Sequence, residues 1–89
     1  MAEVRFTENI QRHVACPPAD AHGETIGAVL EDYFARHPQA RGYVLDDQGA
    51  VRKHMTVFVD GRPIRDRSGL TDSVTRDARV YVMQALSGG

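Results

Sequence analysis

Few residues in this chain could do chemistry, and most are spaced wrongly for it. His13, His22, His37 and His54 lie 9, 15 and 17 residues apart. No two share the i, i+3 or i+4 spacing that turns a pair of imidazoles toward one zinc ion. Cys16 is the only cysteine, which excludes an intramolecular disulfide and a CxxC knuckle. No base neighbours it in sequence, so it reads as a half-buried thiol at a strand end rather than a nucleophile. Asp46-Asp47 could serve as paired carboxylates, but with Gln48-Gly49 behind them a turn accounts for both. Arg62, Arg65, Asp66 and Arg67 mix their signs. That favours a solvated loop over a phosphate site, with a rim contact to an acidic partner as the functional alternative. The sequence closes on Gly88-Gly89, which by itself reads as a frayed end or an expression scar. No catalytic constellation, metal site or cofactor motif emerges.

The elements that would position these residues form one small domain. The chain has 89 residues, 42% apolar and 26% charged, with a net charge of -1. That is too apolar for disorder and lacks the basic excess of a nucleic-acid binder. No run approaches the ~20 apolar residues of a membrane span, and no signal-peptide core opens the chain. A cytoplasmic domain is expected. Glu3-Val4-Arg5-Phe6-Thr7 alternates as a half-buried strand does. Glu8-Asn9 reads as a turn into a second extended segment, Ile10 to Cys16, closed by Pro17-Pro18, which together predict a hairpin. Ile26, Val29, Leu30, Tyr33 and Phe34 make one apolar helical stripe, with Thr25 as N-cap and Pro38 ending the helix at or before His37. Asp46-Asp47-Gln48-Gly49 marks a loop after it. Met55 to Val59 is rich in strand formers, and Asp60-Gly61 is a tight-turn signal. Ile64 and Leu70 anchor an irregular stretch, and Ala78 to Gln84 is the last strand. Hairpin, helix, then strands predicts an α+β domain: a mixed four- or five-stranded sheet with one main covering helix. The domain should occupy residues 1–84, with 85–89 as a flexible tail.

Four segments carry a family resemblance. They are Thr25-Ile26-Gly27-Ala28-Val29-Leu30 opening the helix and Val57-Phe58-Val59-Asp60-Gly61-Arg62 in the central strand. Ser68-Gly69-Leu70-Thr71-Asp72 precedes the last strand, and Ala85-Leu86-Ser87-Gly88-Gly89 ends the chain. Together they resemble the ubiquitin-like β-grasp sulfur carriers of the MoaD/ThiS type. These include the small subunit of molybdopterin synthase, the thiamine-pathway carrier and the cysteine-pathway carriers. The resemblance runs from Val4 to Gly89 and is greatest to the longer, cysteine-pathway-type members, which carry a loop such as Gln39 to His54 before the central strand.

That resemblance implies a carrier rather than an enzyme. An E1-like, ATP-dependent adenylating enzyme would convert the Gly89 carboxylate to an acyl-adenylate. A sulfurtransferase or other sulfur donor would displace AMP to leave a thiocarboxylate, and a biosynthetic enzyme would accept the sulfur. Gly88 and Gly89 lack a Cβ and can thread a narrow channel. Four residues beyond Ala85 reach at most ~13–14 Å. Molybdopterin precursor, thiazole, cysteine precursor and secondary-metabolite scaffolds all fit as acceptors. Two further readings stand beside this one: a protein modifier joined through Gly89 to lysine, and a β-grasp interaction domain without sulfur chemistry. No nucleic acid or membrane enters any of them.

Strand parity adds a candidate docking patch. Val57, Val59, Val80 and Val82 should face the helix, which turns Phe58, Tyr81 and Met83 to the opposite face. With Leu86 of the tail they form the expected partner-binding set. The alternative is that they are scattered surface apolars or cross-strand packing pairs.

Overall fold

The computed structural model describes residues 1–84. Its element order is β1 (Ala2–Phe6), α1 (Glu8–Gln11), β2 (Ala19–Ala21), α2 (Ile26–Arg36), α3 (Pro38–Val44), β3 (Met55–Val59), β4 (Arg62–Pro63) and β5 (Arg79–Gln84). The sheet runs β2-β1-β5-β3-β4. β1 and β5 pair in parallel, Val4 opposite Val80 and Phe6 opposite Val82, while the other pairings are antiparallel. The expected mixed sheet of α+β class is therefore present, with five strands.

α2 covers one face. All five residues of its predicted stripe are buried, at 3% exposure or less. They pack into one core with Val4, Phe6, Val57, Val80 and Val82 from the central strands. Tyr33 sits at the centre of an aromatic cluster, 5.1 Å from the ring of Phe6 and 5.8 Å from that of Phe34. Its hydroxyl donates to the Pro17 carbonyl at 2.7 Å. A buried phenol needs such a partner.

The N-terminus of α2 is held from two sides. Thr25 Oγ1 accepts from Ala28 N–H at 3.1 Å, as the N-cap prediction requires. The Ile26 and Gly27 N–H groups donate to the carbonyls of Asp72 and Leu70, both at 2.9 Å. Gly27 allows this approach: a Cβ there would stand 3.2 Å from the Leu70 carbonyl oxygen. Three of the helix's orphan donors are thus satisfied.

Three expectations need correction. Ile10 to Cys16 is not a strand. Glu8–Gln11 forms a helical turn, and Val14 N–H still bonds back to the Ile10 carbonyl at 3.1 Å. Ile10 and Val14 are four residues apart and pack on or against the core, which is helical rather than alternating spacing. The strand that pairs antiparallel with β1 lies beyond Pro17-Pro18, at Ala19–Ala21, so the prolines precede it instead of ending it. The predicted loop from Gln39 contains α3. Pro38 stops α2 because His37 before it leaves the helical region, yet Pro38 stands at the start of α3, where its missing N–H costs nothing.

Two substitutions should separate packing from capping in urea titrations. Leu30→Ala removes a fully buried side chain and should cost about 2–5 kcal/mol. Thr25→Ala should cost about 1 kcal/mol. Equal losses would contradict the division of labour described here.

Candidate functional site

The pleat of β5 divides its residues between two environments. Val80 and Val82 are buried against α2, whereas Tyr81 and Met83 are 38% and 37% exposed on the helix-free face. On β3, Val57 is buried and Val59 packs against the core. Phe58 stands opposite Tyr81 on β5 and opposite Pro63 on β4. It is half-buried rather than exposed, because neighbours flank it on both sides. The parity reading therefore holds for orientation, with Phe58 less accessible than expected.

These side chains line a groove of about 570 Å³, formed by Phe58, Asp60, Gly61, Arg79, Tyr81 and Met83. Its upper end is fixed by the β3–β4 turn. Asp60 and Gly61 take φ of 51° and 85°, as a two-residue type I′ hairpin demands. Asp60 also clamps the start of β5: its N–H donates to the Arg79 carbonyl, and its carboxylate accepts from Arg79 N–H, both at 2.9 Å. Arg79 was missed at the sequence level, although it shares the parity of Tyr81 and Met83. The lower end of the groove, at Met83, is one residue from Gln84, which pairs with Met55. Gly88, Gly89 and Leu86 lie outside the described residues, as does the whole 85–89 segment.

The other sequence candidates resolve into structural roles. Asp66 accepts from the N–H groups of Ser68, Gly69 and Thr71 and from the Thr71 hydroxyl at 2.6 Å. Asp72 accepts from Arg65 and Asp66 N–H. Arg67 donates to the carbonyls of Arg52 and Met55, each at 2.7 Å. The mixed-sign cluster is therefore a hydrogen-bonded loop that carries Leu70 and Asp72 to α2. Asp46 accepts from Gln48 and Ala50 N–H, which makes it a turn residue. Hydrogen bonds hold Asp46, Asp66 and Asp72 below the ordinary 3.8: from the Ala50 N–H first for Asp46, the Thr71 side chain for Asp66 and the Arg65 N–H for Asp72. Depressed values contribute stability that is present in full above 3.8 and is lost as pH falls through the folded values.

Cys16 is 2% exposed, in the core rather than at a strand end, and burial pushes its thiol up from the ordinary 9.0. Burial first, then the neighbouring Cys16, pushes Tyr33 up to about 12. Among the described residues no three His, Cys, Asp or Glu side chains converge as a metal would require. No described helix is long and apolar enough to cross a membrane.

No family model matches the sequence, nor does any curated protein. Its likeness to solved structures is three-dimensional. A chain of the BexX/CysO complex from Amycolatopsis orientalis superposes with a TM-score of 0.84 at 19% identity, covering 100% of both chains. CysO from Mycobacterium tuberculosis gives 0.81 at 20% identity, over 97% of this chain and 100% of that one. SAMP1 from Haloferax volcanii gives 0.77 at 20% identity, over 99% and 98%. At these identities the likeness establishes the fold, and the expected ubiquitin-like β-grasp architecture is borne out.

Three measurements follow. Tyr81→Ala and Met83→Ala should each cost no more than about 1 kcal/mol, the scale of a cross-strand pair, while Met55→Ala, buried on the adjacent strand, should cost about 2–5 kcal/mol. Thiol labelling of Cys16 should be slow in the native protein and become fast on unfolding. A raised Tyr33 value favours the folded state below the unfolded value of 10, so stability should decline as pH climbs from about 10 toward 12. Rapid native labelling, or flat stability across that window, would place these groups nearer solvent than the structure does.

Proposed function

We propose that this chain is a ubiquitin-like sulfur carrier, not an enzyme, whose working group is the carboxylate of Gly89. The observation that carries the reading is positional. A β-grasp domain whose last strand lies mid-sheet runs, one residue past the groove, into Ala85-Leu86-Ser87-Gly88-Gly89. The fold shared with CysO and SAMP1 supports it.

In this role a Gly89 carboxylate oxygen attacks the α-phosphorus of ATP on an E1-like enzyme, and pyrophosphate leaves. A hydrosulfide-equivalent donor then attacks the acyl carbon, AMP departs with the bonding electrons, and a thiocarboxylate remains. Its sulfur is the better nucleophile for delivery to an acceptor on a biosynthetic enzyme. Gly88 and Gly89 give the partner's channel room, and Phe58, Tyr81 and Met83, with Leu86, supply the docking surface. The carrier acts in the cytoplasm with the adenylating enzyme, the sulfur donor and the acceptor enzyme as successive partners.

A second reading has its own support. The neighbour from Methanosarcina acetivorans is named small archaeal modifier protein 1, at a TM-score of 0.78. Under that reading the same adenylate would be captured by a lysine amine to form an isopeptide bond.

One reagent set separates these readings. With ATP and the E1-like enzyme of the same genome, the intact chain should drive pyrophosphate exchange. With sulfide added, it should gain the mass of sulfur replacing one oxygen. Deleting Gly89, or appending one residue, should abolish both without altering the urea midpoint. A lysine-linked conjugate with no thiocarboxylate would establish the modifier instead. Full exchange from the chain lacking Gly89 would overturn both readings.

A further inference from the structure

The groove on the helix-free face ends at a cation that has no counter-ion among the described residues. Arg79 is exposed at the top of β5 and lines both the 570 Å³ groove and a second one of about 470 Å³ shared with Glu3, Arg5 and Tyr81. Two carboxylates stand near it, and neither pairs with its guanidinium. Asp60 accepts from the Arg79 backbone N–H through Oδ1. Glu3, opposite Arg79 on β1, pairs with Arg5 at 3.2 Å. Among the described residues no carboxylate lies within 4.0 Å of the Arg79 guanidinium. The Asp60 clamp fixes the backbone from which this side chain extends.

From Arg79 the same face continues through Tyr81 to Met83, four residues and about 13 Å along the strand. The row is thus cationic at the top and apolar toward the chain's last residues. The geometry points to an acidic–apolar segment of a partner protein as the occupant of this groove: its carboxylate pairs with Arg79 while apolar side chains cover Tyr81, Met83 and the open edge of Phe58. The inference rests on the reading of this face as a docking surface and adds the partner's chemistry. A planar guanidinium with free donors prefers a carboxylate that can accept two of them. Charge complementarity of this kind fixes register and selects partners.

The test needs no knowledge of the natural partner. ¹⁵N-labelled protein is titrated with the peptide acetyl-Glu-Thr-Leu-Thr-Val-amide and with versions carrying Gln or Lys in place of Glu. The Glu peptide should bind about three- to fivefold tighter than the Gln peptide at low salt, with shifts centred on Arg79, Tyr81 and Met83. That preference should vanish in Arg79→Gln, reverse toward the Lys peptide in Arg79→Glu, and fade as ionic strength approaches ~1 M. Indistinguishable peptides, shifts mapping elsewhere, or no binding up to the solubility limit would each overturn the proposal. So would shifts at these residues that depend on protein concentration without peptide, because a second copy of the chain would then cover the groove. A protein that shows the charge preference but is never adenylated defeats the carrier reading alone.

Discussion

The pairing of the first strand with the last, side by side and parallel at the middle of the sheet, constrains everything else in this molecule. Parallel neighbours cannot be joined by a tight turn, so the chain between them must cross over the sheet. The crossover supplies α2, and α2 buries the face it crosses. The other face is left to solvent. The same pairing makes β5 a central strand, stitched to β1 on one side and β3 on the other. The residues that follow Gln84 therefore leave from the best-supported strand of the sheet.

That arrangement closes only if the segment between β4 and β5 returns across the helix start. The acidic residues Asp66 and Asp72 do this by organising backbone, not by pairing with cations. Their hydrogen bonds shape the loop so that the carbonyls of Leu70 and Asp72 meet the first N–H groups of α2. Two of the segments that carried the family resemblance, one at Thr25–Leu30 and one at Ser68–Asp72, are therefore two sides of one contact.

What the sequence disclosed tracks how locally each feature is encoded. The α2 stripe, its threonine cap and the Asp60-Gly61 turn depend on neighbours a few residues away, and they were legible. The parity of β3 and β5 was legible because alternation needs only one strand. The Ile10–Cys16 segment was not, because a four-residue helical turn leaves a single i, i+4 pair as its signature. α3 was hidden by a proline that both stops one helix and starts the next. Arg79 escaped notice because its meaning is tertiary. A surface arginine becomes distinctive only when Asp60 is committed to backbone and Glu3 to Arg5. The terminal glycines were legible as residues, and the chemistry proposed for them only through family resemblance.

Using one strand for both tasks has an energetic consequence for the proposed carrier. Val80 and Val82 contribute to the core while Tyr81 and Met83 contribute nothing to it, so the exposed set is free to serve a partner at little cost in stability. Five residues past Gln84 span at most ~17–18 Å. A partner that grips the face beside Met83 therefore confines the Gly89 carboxylate to within that distance of the end of β5. A short tether of this kind corresponds to an effective concentration of about tens of millimolar. Weak docking then suffices, because the groove has only to hold the domain long enough for the terminus to find its site. Release after transfer calls for such weakness, since a carrier that must visit an activating enzyme, a sulfur donor and an acceptor in turn cannot bind any of them tightly.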